Sequence, residues 1–175
     1  MKDKSIIPTE RERVMRENDF IVSKTDLTGK ITYGNRIFQE FAGYAEKELL
    51  GVQHNIIRHP DMPRAVFKLL WDTIKQQQEI FAFVKNLASD GSYYWVFANV
   101  TPDYDAGGNV VGYLSVRRKP RPDALPVIAD VYAQMLALEQ QRGAREGMTA
   151  ATQYLLDLLD EKGTTYEELV LSLQG

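Results

Sequence analysis

"EIFAFVKNLASDGSYYWVFANVTPDYDAGGNVVGYLSVRR", Glu79 to Arg118, decides the fold. Three runs rich in β-branched and aromatic residues, "EIFAFVKNLA", "SYYWVFANVTPDY" and "NVVGYLSVRR", are set apart by "SDG" and "DAGG". Short polar connectors containing glycine join antiparallel neighbours, so the runs are expected to form a meander. Successive side chains of a strand point to opposite faces. Ile80, Ala82, Val84 and Asn86 therefore share a face with Tyr94, Val96, Ala98 and Val100. That face combines small residues with a lone amide, the composition of a wall with room beside it. The opposite face carries Phe81, Phe83, Tyr93, Trp95, Phe97 and, by the same reading, Tyr113. Burying a large aromatic is worth roughly 1.5–3 kcal/mol. This face therefore calls for a cover: an N-terminal helix, the C-terminal tail or a second subunit.

Working outward, "DFIVSKTD" and "KITYGN" read as two further strands around "LTG", with Gly29 suited to positive φ. Ile37, Phe38 and Phe41 lie at helical spacing, as do Leu49 and Leu50, with Gly43 and Gly51 as stops. A longer helix is expected from about Arg64 to Gln77, with Pro63 at its start. Val66, Leu69, Leu70 and Ile74 form its apolar stripe, and Phe67 and Trp71 a neighbouring one. Thr9 to Glu12 reads as a capping box opening a short polar helix that runs to about Glu17. After Pro120, "KPRPDALP" is a linker. The helical runs "VIADVYAQMLALEQQR" and "TAATQYLLDLLDEK" follow, separated by "GAREG". A last helix, "TTYEELVLSLQ", opens with a capping box from Thr164 to Glu167. Helices this short must pack against something to persist. The expectation is an α+β protein: a cap helix over 1–18, a five-stranded antiparallel domain with short helices over one face across 19–119, and a helical tail over 120–175, serving output or dimerisation.

The totals narrow the chemistry. The chain has 175 residues and a net charge of −3, so its overall field does not favour nucleic acid. The basic run "RRKPR", Arg117 to Arg121, reads as a solvated strand end. The absence of cysteine rules out thiolate metal sites, cysteine nucleophiles and cysteinyl–flavin photochemistry. No apolar run approaches the roughly 20 residues of a membrane span. The first residues have no signal-peptide pattern, and a cytoplasmic location is the default.

The chemistry-bearing stretch is "HNIIRHPDMPRAVFKLLW", His54 to Trp71. His59 beside Asp61 has the residue types of a general base oriented by a carboxylate, yet no nucleophile lies at a recognisable spacing. The alternatives are that His59 holds the turn before the helix with Asp61 or, behind that, ligates haem. Arg58 offers a planar fork of donors to an anionic group, or is a surface charge. Phe67 and Trp71 are core residues, ligand contacts or both, and Asn86 is a pocket group or a satisfied buried amide.

Taken together, "TDLTGKITYGN", "GYAEKELLG" and the meander resemble the PAS sensory family over about residues 19–119. "RHPDMP" followed by "VKN" and "ANVTP" is most similar to the FAD-binding PAS domains of bacterial aerotaxis receptors. The resemblance implies non-covalently held FAD, read out as a redox or oxygen-linked signal through protein contacts. By matching motif positions it implies a cofactor pocket made of Asn35, His54, Arg58, His59, Asp61, Phe67, Trp71, Asn86 and Tyr94. The aromatic outer face, independently of the resemblance, leads to the expectation of a homodimer or signalling partner at Phe81, Phe83, Trp95 and Phe97, together with the tail helices. The sequence departs from the family at Ile80, where a tryptophan usually stands, and it has no membrane anchor or long signalling coiled coil. A haem or other small-ligand sensor, a cofactor-free dimerisation or adaptor module and, last, an enzyme are the rival readings.

Overall fold

The structure is a computed structural model and describes residues 6–175. β1 (Ile21–Asp26) and β2 (Ile31–Gly34) form a hairpin. Its turn is closed by the Asp26 carboxylate, which accepts from the amides of Thr28 and Lys30, and by Gly29 at φ 85°. Next come α1 (Arg36–Ala42), α2 (Glu46–Leu49), a 3-10 turn (His54–Ile57) and α3 (Arg64–Lys75). The meander is β3 (Ile80–Leu87), β4 (Tyr93–Tyr104) and β5 (Val110–Arg118). The strands form one sheet, ordered β2-β1-β5-β4-β3, with every neighbour antiparallel. The pairing of Ile80 with Val100 and of Asn86 with Tyr94 is the one that side-chain parity requires. Phe38, Leu49, Ile57 and Val66 bring the short helices onto Ala82, Val96 and Ala98, building the core on the inner face.

Tyr113 departs from the expected parity. It pairs with Pro102, on the same face as Val100, and so points inward with Ser115 and Arg117. A register shift at Asp103/Tyr104 sets this offset, and nothing in the connector's composition announces it.

The expected cap helix does not form over the described residues 6–18, which show no helix and turn at 17–18; residues 1–5 lie outside them. Their backbone groups bond to the β3–β4 hairpin instead. Thr9 N–H donates to the Gly91 carbonyl and Arg13 N–H to the Tyr93 carbonyl, while Tyr93 N–H donates to the Arg11 carbonyl. The Thr9 hydroxyl, assigned to a capping box, also donates to Gly91. A polar segment with no apolar stripe gains more from strand-like pairing than from a helix with nothing to bury.

The tail forms α4 (Ala124–Arg142), α5 (Ala144–Lys162) and α6 (Tyr166–Gln174). α4 begins inside the expected linker because Pro126 falls in its first turn, where proline's missing N–H costs nothing. The break expected over "GAREG" narrows to Gly143 alone. The capping box of α6 is Thr165 with Glu168, one residue beyond the expected pair; both spacings exist in "TTYEE".

The tail covers the aromatic face. Ile128, Tyr132 and Met135 of α4 share one buried cluster with Phe83 and Phe97. The Tyr132 ring stacks on Trp95 at 6.3 Å, and its hydroxyl donates to the Phe83 carbonyl on the edge strand. Phe83 and Phe97 are 0% and 2% exposed. The surface assigned to a partner is thus largely taken by the chain's own helices, with Phe81 and Trp95 half-buried beside them. The β3 edge is capped further by Met62, whose sulfur accepts from Lys85 N–H, and by a backbone bridge between Arg58 and Asn86. Among the described residues no helix is long and apolar enough to cross a membrane.

Candidate functional site

Between the inner face of the sheet and α3 lies a cavity of about 280 Å³, near the lower end of the roughly 300–1,000 Å³ of ligand pockets. Small strand residues make the space: Val84, Ala98 and Val100 form its floor. Phe67 and Trp71 descend from α3 as its roof, one helical turn apart. The Trp71 ring meets Tyr113 edge-on at 5.6 Å and lies against the β1–β2 turn. A Cβ on Gly29 would stand 3.0 Å from that ring, so the turn needs glycine for close approach as well as for its φ.

One polar group was not anticipated. Arg117, on β5, is 2% exposed and lines the cavity. One guanidinium nitrogen donates to the Ser23 hydroxyl. The carbon of the guanidinium lies 4.7 Å above the Phe38 ring. Its Nε and Nη1 have no protein acceptor, and among the described residues no carboxylate pairs with it. Burial pushes its pKa down to about 10. Asn86, 3% exposed on the same cavity, likewise has an amide nitrogen without an acceptor. Each buried donor left unmet costs about 1–3 kcal/mol, so the contents of this cavity have to supply acceptors.

His54 is placed by its own amide, which donates to the Gly29 carbonyl at 2.9 Å and ties the 3-10 turn to the β1–β2 hairpin. Its ring stacks on Phe38 at 5.7 Å, and Nε2 lies 3.0 Å from the Ser23 hydroxyl. Because Ser23 accepts from Arg117, its O–H is left to donate to His54, which fixes Nε2 as an acceptor. Burial, and then the nearby Arg117 charge, push the imidazole pKa down to about 3, so His54 is neutral at neutral pH. Arg58 reaches the cavity from its rim. Its guanidinium carbon lies 4.2 Å over Phe67, and it donates to the Met62 carbonyl. Burial lowers its pKa, against the opposing pull of Glu139.

His54, Arg58, Phe67, Trp71 and Asn86 therefore come together at the cavity, and four other assigned residues do not line it. Asn35 is the N-cap of α1: its carbonyl oxygen accepts from Phe38 and Val22 amides, and its amide donates to the Phe20 carbonyl. His59 is buried in the turn before α3, where Nδ1 accepts from the Asp61 amide. The Asp61 carboxylate is exposed and pairs with Lys85 at 2.6 Å. Together they are the turn-holding arrangement. Tyr94 is fully buried, but under α1, edge-on to Phe41 at 5.4 Å. Ile80 packs with Ile74, Val100 and Tyr113, next to the cavity walls. Arg117 was expected within the solvated run Arg117 to Arg121, which its burial overturns, and Ser23 carried no motif; only strand parity counted forward from Tyr113 in the right register turns Arg117 inward, onto Ser23 of the paired β1.

Comparison with known proteins agrees with this architecture. Residues 31–117 match the family described as PAS fold. The chain is 31% identical over 147 residues to the aerotaxis receptor of Escherichia coli (strain K12), covering 84% of this chain and 29% of that protein. It is 31% identical over 97 residues to the nitrogen fixation regulatory protein of Klebsiella pneumoniae, covering 55% of this chain and 20% of that one. It thus spans less than a third of either relative. Among solved structures, the light-state LOV domain of the blue-light photoreceptor Aureochrome1 superposes with a TM-score of 0.51 at 27% identity, covering 71% of this chain and 92% of that one. A light-oxygen-voltage domain studied with a flavin analogue superposes with a TM-score of 0.55 at 24% identity, covering 63% and 83%. The sheet order, the short helices over its inner face and these matches agree: the chain belongs to the PAS fold family.

Proposed function

We propose that this chain is a cytoplasmic sensor that holds a flavin, FAD by resemblance to aerotaxis receptors, and reports its redox state through protein contacts. The observation that carries the reading is Arg117: a buried cation with two nitrogens lacking protein acceptors, on the same cavity as an amide donor from Asn86. An aromatic ligand with acceptors along one edge and an apolar body complements those donors and the Phe67 and Trp71 roof. The oxygen and nitrogen edge of an isoalloxazine ring has that chemistry. It also fits the light-oxygen-voltage likeness and the name of the aerotaxis relative.

A bound flavin supplies a group whose charge and protonation change on reduction. The chain's residues do the rest. Arg117 favours whichever state carries more negative charge, since no carboxylate competes for it. Ser23 and neutral His54 hold the guanidinium in place without adding charge. Asn86 has both a donor and an acceptor and can serve either protonation state by turning its amide. Only such differential contacts can shift the protein between two arrangements. Arg58, at the rim, is the group suited to an anionic phosphate portion. Haem is less well served: His54 is committed to Ser23, and His59 lies in the turn outside the cavity.

The absorption spectrum of the purified full chain tests the proposal. Flavin bands that survive gel filtration support it, and chromatography of the acid-released cofactor separates FAD from FMN. A Soret band would replace the flavin with haem. A protein that stays colourless after incubation with FAD and FMN would leave a dimerisation module.

A further inference from the structure

We infer that Glu139, on the tail helix α4, is a latch that couples the contents of the cavity to the position of the tail. The inference rests on the ligand-binding reading above and adds its route of transmission. α3 begins after Pro63, whose side chain cannot cap a helix, so its first amides need acceptors from elsewhere. Glu139 supplies them from 75 residues away. One carboxylate oxygen accepts from Arg64 N–H at 3.0 Å and from Arg64 Nε at 3.1 Å, and the other accepts from Ala65 N–H at 2.8 Å. The carboxylate is buried with Glu139 only 4% exposed, beside a second hollow bordered by Arg58.

The capped helix is the one that roofs the cavity. Phe67 is its fourth residue and Trp71 its eighth, and Arg58 stacks on Phe67 while bordering both hollows. A Cβ on Gly147 of α5 would stand 2.6 Å from the Glu139 carbonyl oxygen and 2.7 Å from its Cα, so α5 backs directly onto the latch residue. A ligand that needs Phe67 and Arg58 in place favours the capped helix, and through it the docked tail. By linkage, the docked tail favours the ligand by the same factor.

The test uses the full chain with FAD and, separately, FMN. Glu139→Gln keeps the size of the side chain and removes its charge; Gly147→Ala keeps the carboxylate and pushes it away. Both should raise the flavin Kd by about fivefold or more, while Glu161→Gln, on the exposed face of α5, leaves it unchanged. In the unsubstituted chain, flavin should slow hydrogen exchange at the Arg64 and Ala65 amides and across the α4–α5 junction. If both latch variants remain folded and bind flavin within twofold of the parent, the coupling is refuted and the sensor reading stands. The coupling is equally refuted if flavin slows exchange only around the cavity. If the parent chain takes up neither flavin, the functional reading fails, and the coupling fails with it.

Discussion

Arg117→Met separates a ligand-binding arginine from a structural one. The substitution removes the charge and leaves an apolar stem of similar reach. In ligand-free protein the opposing costs are comparable. The fall from 12.5 to about 10, at about 1.4 kcal/mol per pH unit, corresponds to about 3 kcal/mol against the buried charge. In its favour stand a bond to the Ser23 hydroxyl, worth about 1.5–3 kcal/mol as a charge-assisted bond, and the Phe38 face, worth about 0.5–2 kcal/mol. The net change in ligand-free stability should lie within about 2 kcal/mol of zero. Removing one member of a structural buried ion pair would instead cost about 3–5 kcal/mol. Flavin binding should respond far more. Loss of even one charge-assisted bond to the ligand, about 1.5–3 kcal/mol, weakens affinity by about tenfold or more. Urea melts of the flavin-free protein and fluorescence titration with FAD measure the two quantities. A variant destabilised by more than 3 kcal/mol with its flavin affinity intact would refute the reasoning, because Arg117 would then be holding the fold rather than awaiting a ligand.

Three further outcomes follow from the same geometry. His54 has a folded pKa of about 3 against 6.5 in the unfolded chain. The unfolded state therefore binds more protons between those values, and stability is full above about pH 6.5 and declines as pH falls, by up to about 1.4 kcal/mol per pH unit. His54→Gln should flatten that decline between pH 6.5 and about 4.5 in urea melts, and an unchanged slope would place the proton uptake elsewhere. Asn35→Ala removes an N-cap and its bonds to β1, so stability should fall by about 2 kcal/mol while flavin affinity stays within twofold; a selective loss of affinity would return Asn35 to the site. Ala98→Leu grows a side chain into the cavity floor, which should lower flavin uptake at least about tenfold with stability held within about 1–2 kcal/mol; normal uptake would mean that the flavin does not use this space.

The sheet was legible because its signals are local and periodic. The connectors around Gly91 and Gly108, and the alternation from Ile80 to Asn86, need no distant information to read. The wall of small residues opposite Phe67 and Trp71 was legible for the same reason, and so was the need to cover Phe83 and Phe97. Which cover won was not legible, since the apolar stripes of α4 fit a second subunit as well as the chain's own sheet. The extended run from Thr9 to Arg13 shows the opposite failure. A capping-box pattern existed, but hydrogen bonds to a hairpin some eighty residues away replaced the helix it would have started.

The charged residues divide by where their partners lie. His59 and Asp61 attracted a catalytic reading because titratable groups crowd within three positions. Nearness is also what let Nδ1 take the Asp61 amide and close a turn, and the Asp61 carboxylate finds its cation in Lys85 across the surface. Arg117 stands in "RRKPR", where its neighbours in sequence make it resemble a solvated strand end; only pairing with β1 turns it onto Ser23, 94 positions away. Glu139 sits among the polar residues of a helix end and acquires meaning only from the bare N-terminus of α3. A charge satisfied by its neighbours in sequence has little left to offer a ligand. Arg117 has nitrogens to spare beside the cavity, and the fold accepts the cost of burying it, which is why the proposed site is built on it rather than on the histidine–aspartate cluster.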